Sequence, residues 1–591
     1  MGMSERYVNP SAVVNLDHRK PFLGSLDRHG SAPVFMAMIC LVMLVFTQRS
    51  VVMSAPIQDI IEIQSGKISG LRLPNGVLAF KGVPYAAPPV GALRWRPPRP
   101  PQRWSGVRPC TDYGPACPQP DLGPISWKKY DRVSEDCLYL NVWTPAKDDQ
   151  DKLPVMFWIH GGALVVGSAS DDMYDGRYLA QKGVVVVSVN YRLGPFGFLA
   201  HPLLSRESPQ RVSGNYGLLD QIEALKWVSE NISKFGGDPE RVTIFGESAG
   251  ARSVAHLMAC PLARGLYHRA IMQSSSVYRP LYHLRKELYQ RPSMEQVGVQ
   301  VSERLGCERA GDVLACLRGK TAAQILQAAQ PGMAGFGITK ENKTPYEPAV
   351  DGWIVPEDPS DLFDRGQQAA VPVILGFNAN EGSLFVRNVP LAPAIARQFV
   401  LSAFGTNARE VMEAFPMRTE QETSRVLDQI AGFIGVSAPV RSTARAMDRI
   451  GAPTWLYYFT YVRSDVMGRR YGAYHGSEIR FVFHNLDLSR TQVTAKDREL
   501  AELMSSYWVS FAAKGNPNGR LRPEWPRYDA QNERHMEFGD MVRARQALPE
   551  QLALFEKIER ERRANRDRPA SSETAAPGPA KRPRLRDLLS R

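Results

Sequence analysis

A serine at position 248 lies in a turn that could make it a nucleophile. Segment 242–250, VTIFGESAG, reads as a short buried strand, a sharp turn with glycine on both sides of the serine, and the start of a helix. Glycines let the backbone pass close to its neighbours, so the Ser248 hydroxyl is expected at the top of a sheet, facing the positive end of the helix. The same pattern also fits a purely structural turn, and its meaning depends on partner residues elsewhere.

A glycine pair follows a second strand and could supply backbone donors for such a serine. Residues 154–159, PVMFWI, are apolar enough for a central strand, and HGGA comes directly after them. We predict that the N–H groups of Gly162 and Ala163, joined by that of Ala249, form an oxyanion hole for an ester carbonyl as it becomes tetrahedral. The alternative is a flexible junction between the strand and a loop.

The base and the orienting acid must follow the serine, in the order acid and then histidine, if the fold is an α/β-hydrolase. His475 lies in the glycine-bounded loop YGAYHGS after a strand and is the predicted base, whereas His484 and His535 are interpreted as structural. For the acid we favour Glu381, which directly follows the strand 371–375. Asp351, in AVDG, is the alternative.

The elements that must position these residues alternate between strands and helices. The predicted strands of this alternating region are 154–159, 184–190, 242–245, 270–273, 371–375 and 455–461, with an amphipathic helix at 218–235 and another at 249–260. Such alternation specifies an α/β fold with a mostly parallel sheet and helices on both faces. The tract from 57 to 143 is richer in strands and turns, and residues 277–370 and 383–450 are interpreted as helical cap insertions.

Composition indicates a globular protein, because 43% of the 591 residues are hydrophobic and 23% are charged. The formal charge of +13 is uneven: residues 1–55 carry five basic and three acidic side chains, and 556–591 carry eleven and six. The remainder is too weakly basic for a nucleic-acid-binding surface. We predict a polar leader with a signal peptide or anchor at 1–55, a catalytic domain at 56–555, and a basic, disordered tail at 556–591.

The amino-terminal part is interpreted as a targeting segment. Residues 32–46 are apolar apart from one proline, a length typical of a signal-peptide core and short for a membrane span. Small residues at Ser54 and Ala55 are compatible with cleavage near Pro56. The prediction is a secreted or periplasmic protein without stable membrane insertion after cleavage, and an anchored one if cleavage does not occur.

Export would allow disulfides to form among the cysteines. Local spacing favours two bridges, Cys117–Cys137 and Cys307–Cys316. Cys110 and Cys260 would then be free thiols or a third pair.

Many ordered segments together resemble the type-B carboxylesterase family, from about residue 57 to about residue 555. They are FKGVPYAAPP (80–89), SEDCLYLN (134–141), WIHGGA (158–163), NYRLG (190–194), GNYGLLDQ (214–221), FGGDP (235–239), GESAG (246–250), GFNANEG (376–382), HGSE (475–478) and GNPN (515–518). The resemblance implies an α/β-hydrolase fold and acyl transfer by Ser248, Glu381 and His475, with no metal or cofactor. It also favours the two disulfides and a small-molecule ester as the substrate.

Three positions bear on how closely the chain follows the family pattern. Ala163 stands where a third glycine is common, and Asn380 stands where an aspartate often precedes the acid. Trp127 resembles, by its spacing before Cys137, the cation-binding tryptophan of cholinesterases. Because the aromatic acyl-pocket pattern of those enzymes is missing around 345–348, we interpret Trp127 as a residue that lines the substrate pocket.

Parts of the sequence are also compatible with functions other than ester hydrolysis. One is a catalytically inactive adhesion or binding module on the same fold, and another is a nucleic-acid or anionic-surface binder that uses the basic run 581–586, although that run also fits a disordered, solvated end. Within enzymes, Arg279, Arg285 and Arg387 could favour acyl groups that carry several carboxylates, but solvated surface arginines are the preferred explanation of these residues.

Overall fold

The computed structural model of the protein describes residues 58–121, 128–332, 344–386, 392–489 and 491–566. The predicted signal segment at 32–46, Trp127, Arg387 and the basic run 581–586 lie outside these residues.

Most of the strands belong to one large twisted sheet. In chain order, the strands are β1 Ile60–Ile63, β2 Gly66–Ser69, β3 Leu71–Arg72, β4 Leu78–Pro84, β5 Val107–Pro109, β6 Tyr139–Thr144, β7 Leu153–Ile159, β8 Val185–Val189, β9 Gly237–Glu247, β10 Arg269–Gln273, β11 Tyr282–His283, β12 Pro331–Gly332, β13 Thr344–Pro345, β14 Ala349–Val350, β15 Val373–Asn378, β16 Thr454–Phe459, β17 His535–Phe538 and β18 Val542–Arg545.

The large sheet has the strand order β18-β17-β16-β15-β10-β9-β7-β8-β6-β4-β3. Its six central pairings, from β17 to β8, are parallel, whereas the pairings toward both edges are antiparallel. The predicted α/β fold with a mostly parallel sheet is therefore confirmed.

The central strands are buried on both faces, which explains why they are almost continuously apolar. In β7, Val155 and Phe157 pack into the core on one face, while Met156 and Trp158 pack into the core on the other. Strand β9 lies between β7 and β10, so the turn that ends β9 opens at the middle of the sheet.

Helices cover both faces of the sheet. In chain order they are α1 Arg177–Ala180, α2 Gly194–Phe198, α3 Pro202–Glu207, α4 Tyr216–Asn231, α5 Ala249–Ala259, α6 Met294–Arg304, α7 Val313–Gly319, α8 Ala322–Ala329, α9 Pro359–Asp364, α10 Ser383–Val386, α11 Pro393–Phe404, α12 Ala408–Ala414, α13 Glu420–Gly432, α14 Ala438–Arg449, α15 Val466–Tyr471, α16 Ile479–Val482, α17 Ala495–Lys514 and α18 Leu552–Ala564, with a π-helical turn at Phe433–Ser437.

The predicted insertions are helical, as α6 to α9 lie within 277–370 and α10 to α14 within 383–450. The described helices include none that is both long and apolar enough to cross a bilayer. Both disulfides are present, Cys117–Cys137 and Cys307–Cys316, and the other two described cysteines, Cys110 and Cys260, are buried free thiols.

The carboxyl-terminal end of the described chain differs from the sequence prediction. Helix α18 runs through the expected boundary at 555/556, so residues 556–564 are helical and are not a disordered tail. Ile558 is buried in the core, and the buried carboxylate of Glu556 pairs with Arg441 and Arg445. The dense charge of this segment suggested a solvated tail, but several of those charges are paired with the body of the protein.

Candidate active site

Ser248 is held in a strained conformation between β9 and α5. Its φ of 56° and ψ of −120° are unfavourable for a residue with a side chain, and such strain typically marks functional positions. Its N–H donates to the carbonyl of Gln273 at the end of β10. A Cβ at Gly250 would lie 1.9 Å from the carbonyl oxygen of Ile159, so only glycine allows the helix to start this close to β7.

His475 and Glu381 meet although they lie in separate loops. Nδ1 of His475 is 2.5 Å from Oε2 of Glu381, and both side chains are buried. The other oxygen of Glu381 accepts a hydrogen bond from the N–H of Asn378 at 2.6 Å. This arrangement fixes the imidazole with Nδ1 toward the acid and leaves Nε2 for another partner.

Asn380 joins the two loops that carry the acid and the histidine. Its N–H donates to the carbonyl of Ala473 at 2.9 Å, and its Oδ1 accepts from the N–H of Ala473 at 3.1 Å. Its side-chain amide also donates to Asp428 of α13 at 3.0 Å. Asn380, which stands where an aspartate is common, therefore links the two loops to each other and to helix α13 of the cap.

The remaining nitrogen of His475 faces the turn that carries the serine. Nε2 lies 3.2 Å from Oε1 of Glu247, the residue directly before Ser248. On its other side the imidazole contacts Phe385, whose ring is 5.6 Å away in an edge-to-face arrangement. The base is therefore brought to the nucleophile turn and shielded from bulk water.

The segment after β7 lies against the same turn. A Cβ at Gly161 would approach the Cβ of Ser248 to 3.2 Å, and Gly162 has a φ of 101° with the Val166 carbonyl oxygen only 2.0 Å from where its own Cβ would be. The carbonyl of Gly162 accepts from Val165 and Val166. Within the described part of the chain, the N–H groups of Gly162 and Ala163 donate to no acceptor, so both are free to receive an oxyanion.

The charges in this site are strongly coupled. Burial lowers the pKa of His475, but the carboxylates of Glu247 and Glu381 outweigh it and raise this pKa to about 9. Burial raises the pKa of Glu247 to about 8, against the opposing effect of His475. Nε2 of His475 and Oε1 of Glu247 are close but not hydrogen-bonded, so each group changes the pKa of the other through its charge.

Glu247 and Glu478 are site residues that the sequence prediction missed. Glu478 is fully buried and accepts from the side-chain amides of Gln273, at 3.0 Å, and Asn378, at 2.6 Å. Trp508 donates in turn to Gln273 at 3.1 Å. Their positions in the sequence could have indicated a role in the site. Glu247 comes immediately before Ser248, and Glu478 comes three positions after His475.

Several other candidates do not join the site. Asp351, the alternative acid, accepts hydrogen bonds from the N–H groups of residues 353–355 and from Asn215, which is a structural role. His484 contacts Ser505, and His535 contacts the carbonyl of Glu533.

The described arginines of the proposed polycarboxylate set also have protein partners. Arg279 lies 3.8 Å from Glu347, and Arg285 lies 3.5 Å from Glu295.

The chain is similar in sequence to several known enzymes. The model of the carboxylesterase family matches residues 57–555. Fumonisin B1 esterase of Sphingopyxis macrogoltabida is 39% identical over 498 residues, which cover 82% of this chain and 87% of the relative. Para-nitrobenzyl esterase of Bacillus subtilis is 37% identical over 486 residues, covering 80% and 92%, and carboxylesterase 1E of Rattus norvegicus is 35% identical over 562 residues, covering 88% and 96%.

Proposed function

The chain belongs to the carboxylesterase family and is a serine carboxylesterase, and we propose that Ser248, His475 and Glu381 carry out its hydrolysis of carboxylic esters. The observation that supports these roles most directly is the buried contact between His475 and Glu381, with the free side of the imidazole turned to the residue that precedes Ser248.

The reaction has two acyl-transfer steps. Oγ of Ser248 attacks the ester carbonyl while Nε2 of His475 takes the hydroxyl proton, and the resulting tetrahedral intermediate collapses as the imidazolium returns this proton to the departing alcohol. Water then attacks the acyl-enzyme, giving its proton to the same nitrogen, and the acid leaves as Ser248 recovers its proton. Glu381 holds the tautomer that this cycle requires and stabilises the imidazolium.

The negative oxygen of each intermediate is stabilised by backbone donors. We assign this role to the N–H groups of Gly162, Ala163 and Ala249, since the first two have no acceptor in the described chain and the third begins helix α5. Donors fixed before the reaction need no reorganisation as charge develops, and each typically contributes about 10²–10³ in rate.

Glu247 adjusts the proton affinity of the base. When Glu247 is protonated, it no longer raises the pKa of His475, and the imidazole is more readily neutral and able to accept the serine proton. When the carboxylate is ionised, it raises the pKa of His475 and favours the imidazolium that forms during attack. The buried pair therefore allows the site to populate both protonation states of the histidine.

The substrate class that we propose is small-molecule carboxylic esters. The related enzymes include an esterase named for para-nitrobenzyl esters and another named for fumonisin B1, and both compounds are suitable test substrates. Selectivity for acyl groups with several carboxylates gains no support, because the described arginines of that hypothesis pair with glutamates. Intact Ser248, His475 and Glu381 likewise give no support to an inactive binding module.

We propose that the protein is secreted or periplasmic. The apolar segment 32–46 has the length of a signal-peptide core, and the two disulfides would persist in an oxidising compartment. Fractionation of cells that express the full chain, followed by mass determination of the mature amino terminus, tests this assignment.

The roles in catalysis are tested by the S248A variant. Hydrolysis of a p-nitrobenzyl ester should fall by about 10⁵–10⁶-fold, and covalent labelling by a fluorophosphonate should be lost. The variant S208A removes a serine hydroxyl outside the site and should behave as the parent does. Retention of labelling or of more than a hundredth of the parent activity in S248A would refute the assignment of the nucleophile.

A further inference from the structure

Asn380 comes directly before the proposed catalytic acid, Glu381, and its side chain contacts two other parts of the fold. Its Oδ1 accepts a hydrogen bond from the N–H of Ala473, which lies two residues before the proposed base. Its Nδ2 donates to Oδ2 of Asp428 in helix α13. The loop of the acid, the loop of the base and the cap therefore meet at one side chain.

These two contacts together require an amide at position 380. Ala473 presents a backbone donor and needs an acceptor, whereas the carboxylate of Asp428 needs a donor, and asparagine carries both groups. An aspartate in the same conformation would set two carboxylate oxygens 3.0 Å apart. Because Asp428 is buried, the repulsion between two such charges would be only weakly screened by water. The aspartate that is common at this position in the family is therefore incompatible with Asp428 in this chain.

Two glycines allow the three parts to approach closely around Asn380. Gly472 has a φ of 72°, and a Cβ there would lie 2.2 Å from Oδ1 of Asn380. A Cβ at Gly382, directly after the acid, would lie 2.2 Å from the carbonyl oxygen of Asp428. Helix α13 therefore rests on the loop that carries Glu381, and a shift of this helix or of residue 380 would displace the acid.

The contact between acid and base is sensitive to such a displacement. Nδ1 of His475 lies 2.5 Å from Oε2 of Glu381, and this contact sets the orientation of the imidazole. The backbone N–H of Asn380 also donates to the carbonyl of Ala473 at 2.9 Å, so that two hydrogen bonds from one residue hold the two loops together. A misplacement of catalytic groups by about 1 Å can cost about 10²-fold in rate.

We propose that Asn380 is a positioning residue for ester hydrolysis and that its pairing with Asp428 couples helix α13 of the cap to the acid and the base. Asp428 fixes the amide of Asn380, and the amide in turn holds the loop of His475 at the distance at which the imidazole meets the acid. Asn380 acts through these neighbours and not on the ester itself. The proposal rests on the roles proposed for Glu381 and His475.

Exchange of the amide and the carboxylate tests the proposal in the full-length enzyme. N380D keeps the size of the side chain and should lower kcat for a p-nitrobenzyl ester at least about tenfold, with KM within about threefold of the parent, because it disturbs the acid and the base and not the binding of the ester. In N380D/D428N the amide at position 428 can donate to the carboxylate at position 380. We therefore expect kcat of the double variant to lie within about threefold of that of D428N.

A surface pair supplies the matched control. Nδ2 of Asn532 donates to Oδ1 of Asp529 at 2.9 Å where both are solvent-accessible, so N532D creates the same pair of carboxylates outside the site and should leave kcat unchanged. Circular dichroism checks that each variant is folded. If N380D does not fold, N380A replaces it, and the loss of both side-chain contacts should lower kcat at least about threefold.

The rate of labelling by a fluorophosphonate separates this proposal from the roles on which it rests. A parent enzyme that is not labelled would refute those roles and the proposal with them. Parent-like labelling and kcat in N380D, or in N380A where it is used, would overturn the positioning role alone. An equal loss of kcat from N380D in the presence and absence of D428N would also overturn it, because the pairing with Asp428 would then be irrelevant.

Discussion

At the scale of single residues, the site combines a serine in a strained backbone conformation, Ser248, with a base, His475, that lies among several carboxyl groups. Three buried glutamates, at 247, 381 and 478, lie near His475, and only one of them contacts Nδ1. Burial raises the pKa of Glu247 and of Glu478, so the cluster does not carry three full charges at neutral pH. The pH dependence of hydrolysis therefore reports on this cluster as a whole.

Replacing Glu247 with glutamine should move the acidic limb of the pH profile. The Glu247 carboxylate raises the pKa of His475, so its removal lowers that pKa, and the base remains unprotonated to a lower pH. We expect the acidic limb of kcat/KM to shift downward by about one pH unit. The control E240Q removes a glutamate whose side chain is 85% exposed and should leave the profile in place. An acidic limb at the same pH in E247Q and the parent would contradict this account.

Replacing Gly162 with alanine should damage catalysis more than folding. The new Cβ would overlap the carbonyl oxygen of Val166, which must move the N–H groups assigned to the oxyanion hole. We expect kcat/KM to fall by about 10²-fold or more. Gly183 is a matched control, because its φ is also positive, at 91°, but a Cβ there meets no atom within 4 Å. Activity of G162A within about threefold of G183A would argue against the proposed donors.

At the scale of elements, local patterns were predictable from the sequence and distant contacts were not. The nucleophile turn, the glycine pair and the central strands could be identified because each is specified by a contiguous segment with its own periodicity and glycines. The contact of Glu247 with His475 depends on how two remote loops approach each other.

The carboxyl-terminal helix illustrates how composition can mislead. Residues 556–566 are dominated by charge, which led to the prediction of a tail, yet Phe555 and Ile558 form an apolar stripe that packs on the core. Arg563 is paired with Asp361 and Asp364 of α9. Several charged side chains of α18 form ion pairs with other parts of the fold, and the high charge of a segment does not show whether such pairs exist.

Two truncations should separate the contribution of α18 from that of the residues beyond it. A chain that stops after residue 566 retains all described contacts of α18, and we expect it to unfold at the temperature of the parent. A chain that stops after residue 555 loses the buried side chain of Ile558 and the ion pairs of Glu556 with Arg441 and Arg445, which should destabilise it by about 2 kcal/mol or more. Thermal unfolding followed by circular dichroism measures both. Equal stability of the two chains would show that residues 556–566 contribute nothing to the stability of the fold.

At the scale of the whole molecule, stability should decrease in acid because uncharged histidines are buried in the core. His256 of α5 is buried, and in the described part of the chain neither of its ring nitrogens has a hydrogen-bond partner. Burial, reinforced by Arg252 and Arg279 and opposed by Glu347, lowers its pKa to about 3. Burial also lowers the pKa of His160, to about 4.

The folded and unfolded chains protonate His256 in different pH ranges, and this difference determines how the free energy of unfolding changes with pH. Below about pH 6.5 the unfolded chain protonates His256 and the folded chain does not, so the free energy of unfolding falls by about 1.4 kcal/mol per pH unit until the pH approaches the folded pKa. H256L removes this group with little change of volume. Between pH 7 and pH 5 we expect the parent to lose about 2 kcal/mol more stability than H256L in denaturant titrations. The same loss in both proteins would mean that His256 is protonated in the folded state.

The two ends of the large sheet determine how it meets other copies of itself. One edge strand, β3, has only two residues, and the other, β18, carries Arg543 and Arg545 on an exposed strand. A short edge offers few free backbone groups, and the two arginines, which share the single counterion Glu537, place an excess positive charge along the edge of β18. Both features reduce the tendency of a sheet edge to pair with the edge of another copy.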